Sequence, residues 1–198
     1  MKKPLVAIDL DDTLAATTQS LLAHLKKTTG LQLHPGDITT SAYWTAYGIG
    51  VDEAIRLVHG YNLAGFPGLQ VMPGAQEAVR TLAKNYELLI VTSRDPVTAP
   101  ATREWLATHF GSTFVDVVFA GNVYVSKQAT PKSQICLARG AAALVEDSAP
   151  HAEQAAQAGI PTIFFGDFSW QQSLAHPLIH VAKNWPQAVE RLQAHVAG

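Results

Sequence analysis

The sequence predicts an α/β fold: a mostly parallel sheet with helices on both faces and a helical insertion after the first strand. Three observations carry this expectation. Short apolar, β-branched runs recur along the chain, helix-like stretches separate most of them, and one stretch near the amino end has no convincing core strand. Continuous apolar strands alternating with helices indicate a parallel sheet buried on both faces.

Strands are expected at 5–10, 87–92, 115–119, 142–145, 161–165 and 178–181. The helix at 75–85 follows Pro73-Gly74 and shows helical spacing at Ala78, Val79 and Leu82. Residues 97–110, 131–139, 151–158 and 185–196 read similarly, the last with Asn184 as its N-cap. Residues 18–29 and 52–61 look helical, with Gly, Pro and Thr punctuating the rest of that region. The expected division is a core of 1–15 and 73–198 with a helical cap of 16–72. Ligands of open α/β sheets bind at the carboxyl ends of the strands, so an insertion placed there can serve as a lid.

Composition narrows the class. An apolar content of 47% over 198 residues supports a full core and one domain with a sizeable insertion. A net charge of −2 argues against a surface that coats nucleic acid. Cys136 is the single cysteine, so no internal disulfide forms and a reducing compartment fits. Lys2 and Lys3 precede an apolar run that Asp9 cuts short, too short for a signal-peptide core or a membrane span. The expectation is a soluble, cytoplasmic protein with no membrane partner.

The first strand ends in Asp9-Leu10-Asp11-Asp12-Thr13. Side chains at i and i+2 of a strand point the same way, so Asp9 and Asp11 leave its tip together. Like charges side by side need a cation or a shared proton. A divalent metal site with a nucleophilic carboxylate supplies the reason for such a pair. Further signals fall at matching strand ends: Thr92-Ser93 after 88–91, Glu146-Asp147 after 143–145, and Lys132 at the start of the preceding helix. A hydroxyl pair, a lysine and a metal together suit a phosphoryl group. Mg²⁺ takes hard oxygen ligands and often only a few from protein. Each signal alone has an ordinary reading: a strand-end turn, an N-cap, a surface lysine (Lys127 is a rival for the role), a capping pair for the helix at His151. Their order and common placement make the set.

Other motifs fail. A calcium loop opening at Asp9 would need Gly where Leu14 stands and Glu where Ser20 stands. His176 and His180 are split by Pro177 and have no cysteine partner for zinc. No glycine loop of the nucleoside-triphosphatase type occurs, so ATP use is not expected.

With these residues in place the chain resembles the haloacid dehalogenase (HAD) superfamily of phosphotransferases. Its motifs resemble Asp9–Thr13, Thr92, Lys132 and Glu146-Asp147, in order and along essentially the whole chain. The resemblance implies a Rossmann-like core and a Mg²⁺-dependent phosphomonoesterase. In that scheme Asp9 is the nucleophile that forms an aspartyl-phosphate. Asp11 protonates the leaving oxygen and then activates water. Mg²⁺ is held by Asp9, the Asp11 carbonyl and Asp147, with Glu146 nearby. Thr92, Ser93 and Lys132 hold the phosphoryl oxygens. An aspartate at position 11, which dehalogenase and phosphonatase relatives lack, favours work on a P–O bond.

The segments 159–165 and 180–189 look like the tail of the 5′(3′)-deoxyribonucleotidase (type C) branch, which also carries a helical cap. That resemblance implies a small-molecule partner, a nucleoside 5′-monophosphate. Asp12 and Thr13 depart from the Gly and Val often found in that branch. The alternatives are a phosphatase of sugar phosphates or other small phosphometabolites, and a catalytically idle binding module. Specificity belongs to the cap, where Tyr43, Trp44, Tyr47 and Phe66 either stack a base or form the cap's own small core. Arg94, beside Thr92-Ser93, either meets a second anionic group of the substrate or forms a surface salt bridge.

Overall fold

The computed structural model describes residues 3–32, 34–38, 48–121 and 129–196. Six parallel strands form one sheet in the order β3-β2-β1-β4-β5-β6, with β1 at Leu5–Ile8, β2 at Glu87–Thr92, β3 at Phe114–Phe119, β4 at Ala141–Glu146, β5 at Thr162–Phe165 and β6 at Ile179–Ala182. The α-helices among the described residues are α1 (Thr17–Thr29), α2 (Val51–Leu63), α3 (Ala75–Leu82), α4 (Ala99–Phe110), α5 (Lys132–Arg139), α6 (Ala149–Gln157) and α7 (Trp185–His195).

The alternation of strand side chains sorts the core into two layers. Val6, Ile8, Leu88, Ile90 and Val145 face one way, against Ala78, Val79 and Leu82 of α3, Leu106 of α4, and Trp185 and Leu192 of α7. Ala7, Leu89, Val91 and Leu144 face the other way, against Ile135 and Cys136 of α5 and Ala155 of α6. The strands are apolar at consecutive positions because both of their faces are covered. Among the described residues, no helix is long and apolar enough to cross a membrane.

β1 lies between β2 and β4. The chain moves from β1 to β2 and β3 on one side, then crosses back through α5 to β4 and β5 on the other. The carboxyl ends of β1 and β4 therefore flank the switch point where such sheets open a crevice.

The loop after β1 is tightly tied. Leu14 and Ala15 amides both donate to Leu10 O at 2.9 Å, and Asp12 N donates to Ala15 O at 2.7 Å. Asp12 adopts φ +54°, in the left-handed region that Asp visits more readily than most residues. Asp12 also takes hydrogen bonds from Thr18 N (2.9 Å) and the Thr18 hydroxyl (2.5 Å), fastening the start of α1 to the loop. From below, the fully buried Trp185 donates its indole N–H to Thr13 O at 3.0 Å.

Between β1 and α3 the described residues contain α1, a 3₁₀ turn at Pro35–Asp37 and α2, but no strand of the sheet. The two legs of this segment run side by side: Ala16 N donates to Gln70 O and Met72 N to Leu14 O, both at 2.8 Å. β5 and β6 are joined by 166–178, which contain no helix.

Candidate active site

Asp9, Lys132, Glu146 and Asp147 converge at the carboxyl ends of β1 and β4 and the start of α5, and all are buried. Lys132 Nζ donates to Asp9 Oδ1 at 2.6 Å and to Glu146 Oε2 at 2.8 Å. Glu146 Oε1 accepts from Ser148 N at 3.0 Å, which orients the carboxylate. The Asp147 carboxylate takes no hydrogen bond from any described residue. Oxygen atoms of Asp9, Glu146 and Asp147 lie within 4.8 Å of one another.

The electrostatics follow from burial. Burial, then the charge of Glu146, raise the Asp9 carboxyl to about 7 against the pull of Lys132. Burial, Glu146 and Asp9 push Asp147 well above the usual carboxylate range. Burial disfavours the Lys132 charge, but Asp9 and Glu146 override it and hold the ammonium protonated beyond its ordinary value. One lysine thus faces three carboxylates. That is the donor set of a hard divalent cation: all oxygen, excess negative charge, and one carboxylate without a partner. The residues present fit Mg²⁺.

Lys132→Met keeps the side-chain length and removes the charge, leaving the carboxylates with no compensating cation. Breaking a buried pair in this way costs about 3–5 kcal/mol. Urea unfolding of the variant in chelator should show a loss of that size. An unchanged midpoint would mean that protons, not Lys132, balance the cluster.

Asp11 sits beside this cluster and is held by Arg94. The Arg94 Nη2 donates to Asp11 Oδ1 at 2.8 Å, and Nε reaches both carboxylate oxygens at 3.1 Å. The Thr17 hydroxyl donates to Oδ1 at 2.6 Å, and the buried Thr92 hydroxyl stands 3.4 Å from Oδ2. Burial would raise the Asp11 carboxyl, but the Arg94 charge and hydrogen bonds outweigh it and hold it below the ordinary range. Arg94 is itself buried; it donates to the Thr102 hydroxyl at 3.1 Å, and its guanidinium lies 3.8 Å from the Phe66 ring centroid. The surface salt bridge expected of Arg94 is therefore corrected to an ion pair in which a buried Arg94 meets a partly exposed Asp11. Phe66 lies beneath that guanidinium, at φ +57°. Tyr43, Trp44, Tyr47 and Lys127 lie outside the described residues.

Ser93 follows Thr92 at the tip of β2, its hydroxyl 3.5 Å from His151 Nε2. Burial, then Lys132, push the His151 imidazole down to about 4, so the ring is neutral at pH 7.

A pocket of about 400 Å³ is lined by Asp12 and Asp147 together with Ile38, Trp170 and Leu174. Trp170 was not among the expected site residues. The available signal was its place: it follows the carboxyl end of β5, on the same edge of the sheet as Asp9, Thr92 and Asp147.

The fold is that of known HAD hydrolases. It superposes on a HAD-superfamily hydrolase of subfamily IA from Geobacter sulfurreducens with a TM-score of 0.62, 17% identity and 96% of each chain covered. A HAD hydrolase from Bacillus subtilis crystallised with magnesium gives 0.64 at 15% identity, covering 98% of this chain and 100% of that one. A Lactobacillus delbrueckii protein assigned as a phosphoglycolate phosphatase gives 0.66 at 14% identity, covering 96% and 98%. No curated protein matches the chain. Residues 3–137, which carry the Asp9–Thr13 loop, Thr92-Ser93 and Lys132, match the family described as 5′ nucleotidase, deoxy (pyrimidine), cytosolic type C protein. The chain is a HAD-type phosphatase and belongs to that nucleotidase family.

Proposed function

We propose that the protein is a Mg²⁺-dependent phosphomonoesterase acting on (deoxy)nucleoside 5′-monophosphates through an aspartyl-phosphate. The observation that carries this is Lys132 joining Asp9 and Glu146 beside an unpartnered Asp147. Membership of the nucleotidase family supports the substrate class.

In this reading Asp9 attacks phosphorus: the Asp9 O–P bond forms as the P–O bond to the nucleoside breaks. Asp11 protonates the departing oxygen, then takes a proton from the water that hydrolyses the acyl phosphate. Lys132 holds a phosphoryl oxygen while keeping Asp9 in register. Thr92 and Ser93 hold the others, and the neutral His151 leaves the Ser93 hydroxyl its partner without adding charge. Asp9, the Asp11 carbonyl and Asp147 would hold Mg²⁺, with Glu146 positioned by Lys132 and Ser148. The ion would offset the negative charge of the phosphoryl group and the carboxylates. Residues 16–72 act as the cap, their paired legs at Ala16–Gln70 and Leu14–Met72 serving as its base.

The test is Mg²⁺-dependent phosphate release from ribo- and deoxyribonucleoside monophosphates beside sugar phosphates and phosphoglycolate, with chelator as blank. Preferential turnover of nucleotides supports the reading. Preference for the other esters keeps the chemistry and overturns the substrate. No release from any ester, with no binding of Mg²⁺ plus trifluoroberyllate, favours an idle binding module.

A further inference from the structure

We propose that the loop between β5 and β6, part of the core rather than the cap, forms the subsite for the substrate's base, with Trp170 as its stacking platform. This rests on the nucleotidase reading.

The pocket lined by Asp12 and Asp147 is also lined by residues 170–174 of this loop. At about 400 Å³ it lies within the range of small-ligand sites. Its wall mixes Ile38, Pro150 and Leu174 with Gln172, Ser173 and Glu153, apolar surface beside polar groups. That lining suits a flat heteroaromatic ring with a hydrogen-bonding rim.

The loop is built to hold Trp170 still. Gly166 adopts φ +107°, and a Cβ there would lie 2.3 Å from the Phe168 ring, so only glycine lets the chain turn this closely. Phe168 then stacks on Trp170, with ring centroids 4.6 Å apart and planes 2° from parallel. The Gln171 amide is fully used: Nε2 donates to Asp147 O and Phe165 O at 2.7 Å each, and Oε1 accepts from Phe168 N at 3.2 Å. The loop is thereby clamped to the main chain of the candidate metal ligand. A rigid aromatic held at a set position relative to the phosphate site loses little entropy when a base stacks on it. The competing role is packing: Trp170 also touches the small cluster of Leu22 and Ile38, and the Ser169 hydroxyl donates to Ile38 O at 2.6 Å.

Kinetics on a nucleoside 5′-monophosphate and on ribose 5-phosphate, which lacks the base, separate the two. Trp170→Leu should raise KM for the nucleotide about 10-fold while moving KM for ribose 5-phosphate less than about 2-fold. Tryptophan emission supplies a second readout in a variant that keeps the ring shape. Nucleotide should quench Asp9→Asn, and this quench should be lost in Asp9→Asn/Trp170→Phe. Equal losses on both substrates, or a quench that persists without Trp170, would overturn the subsite and leave packing. An unchanged nucleotide KM in Trp170→Leu, with wild type preferring nucleotides, would sink this inference alone. A wild type that serves ribose 5-phosphate as well as nucleotides would sink the nucleotidase reading and the base subsite with it.

Discussion

Asp9→Asn should abolish turnover and, without metal, raise the melting temperature. In the proposed mechanism Asp9 is the nucleophile, and its loss should cost at least about 10⁴-fold in kcat. The stability gain comes from the same site. Burial and the Glu146 charge lift the Asp9 carboxyl from 3.8 to about 7, so its ionised form is disfavoured in the folded chain despite Lys132. A raised folded pKa contributes stability that is present below the unfolded value and lost as pH rises through the folded one. Between about pH 4 and 7 the metal-free wild type should therefore lose a few kcal/mol that Asp9→Asn keeps. The neutral amide retains the shape, and Lys132 retains Glu146 at 2.8 Å. Thermal unfolding in chelator should place the variant roughly 5–10 °C above wild type at pH 8 and near it at pH 4. Added Mg²⁺ should close the gap by stabilising wild type, because binding to the native state adds stability by mass action. A variant less stable than wild type at pH 8 in chelator would mean that the Lys132–Asp9 contact outweighs burial and repulsion.

The parts of the site that were legible in the sequence share one property: they sit at the carboxyl ends of strands. Apolar runs locate strands, and a polar residue at the end of such a run stands out against it. Asp9, Thr92 and Glu146-Asp147 are all found this way, and the structure gathers them at adjacent strand ends. The strands differ from expectation by only one or two residues at their ends. The helix expected from 97 begins at Ala99, because Asp95 accepts from Val97 N and turns Pro96–Thr98 into a 3₁₀ segment first. The fate of Arg94 was not legible. Whether an arginine is buried depends on what meets it, here Asp11 from 83 positions away and Phe66 from the segment after α2. Trp170 was hidden for a different reason: 166–178 have neither strand nor helix periodicity, and their order comes from Gly166, Gln171 and aromatic stacking.

Arg94→Met should separate the two half-reactions of the proposed mechanism. With Arg94 in place the Asp11 carboxylate is held ionised, its oxygens taken by a guanidinium fork and the Thr17 hydroxyl. An ionised Asp11 is ready to accept a proton from water, whereas it must first be protonated to give one to a leaving group. Removing Arg94 leaves burial as the dominant influence, so the carboxyl rises and the base form becomes scarcer near pH 7. Hydrolysis of the acyl phosphate should slow by about 10- to 100-fold, a part of what a positioned general base contributes. Its formation should suffer less, so phosphorylated enzyme accumulates and the pH at which hydrolysis reaches its plateau moves upward. Rapid quenching with labelled substrate measures both. The fold should also lose roughly 1–3 kcal/mol in urea unfolding, since the hydrogen bonds of a half-buried pair and its contact with Phe66 are broken together. Equal slowing of both steps, with no accumulated phosphoenzyme and an unshifted pH profile, would show Arg94 to be a structural prop for Asp11 and nothing more.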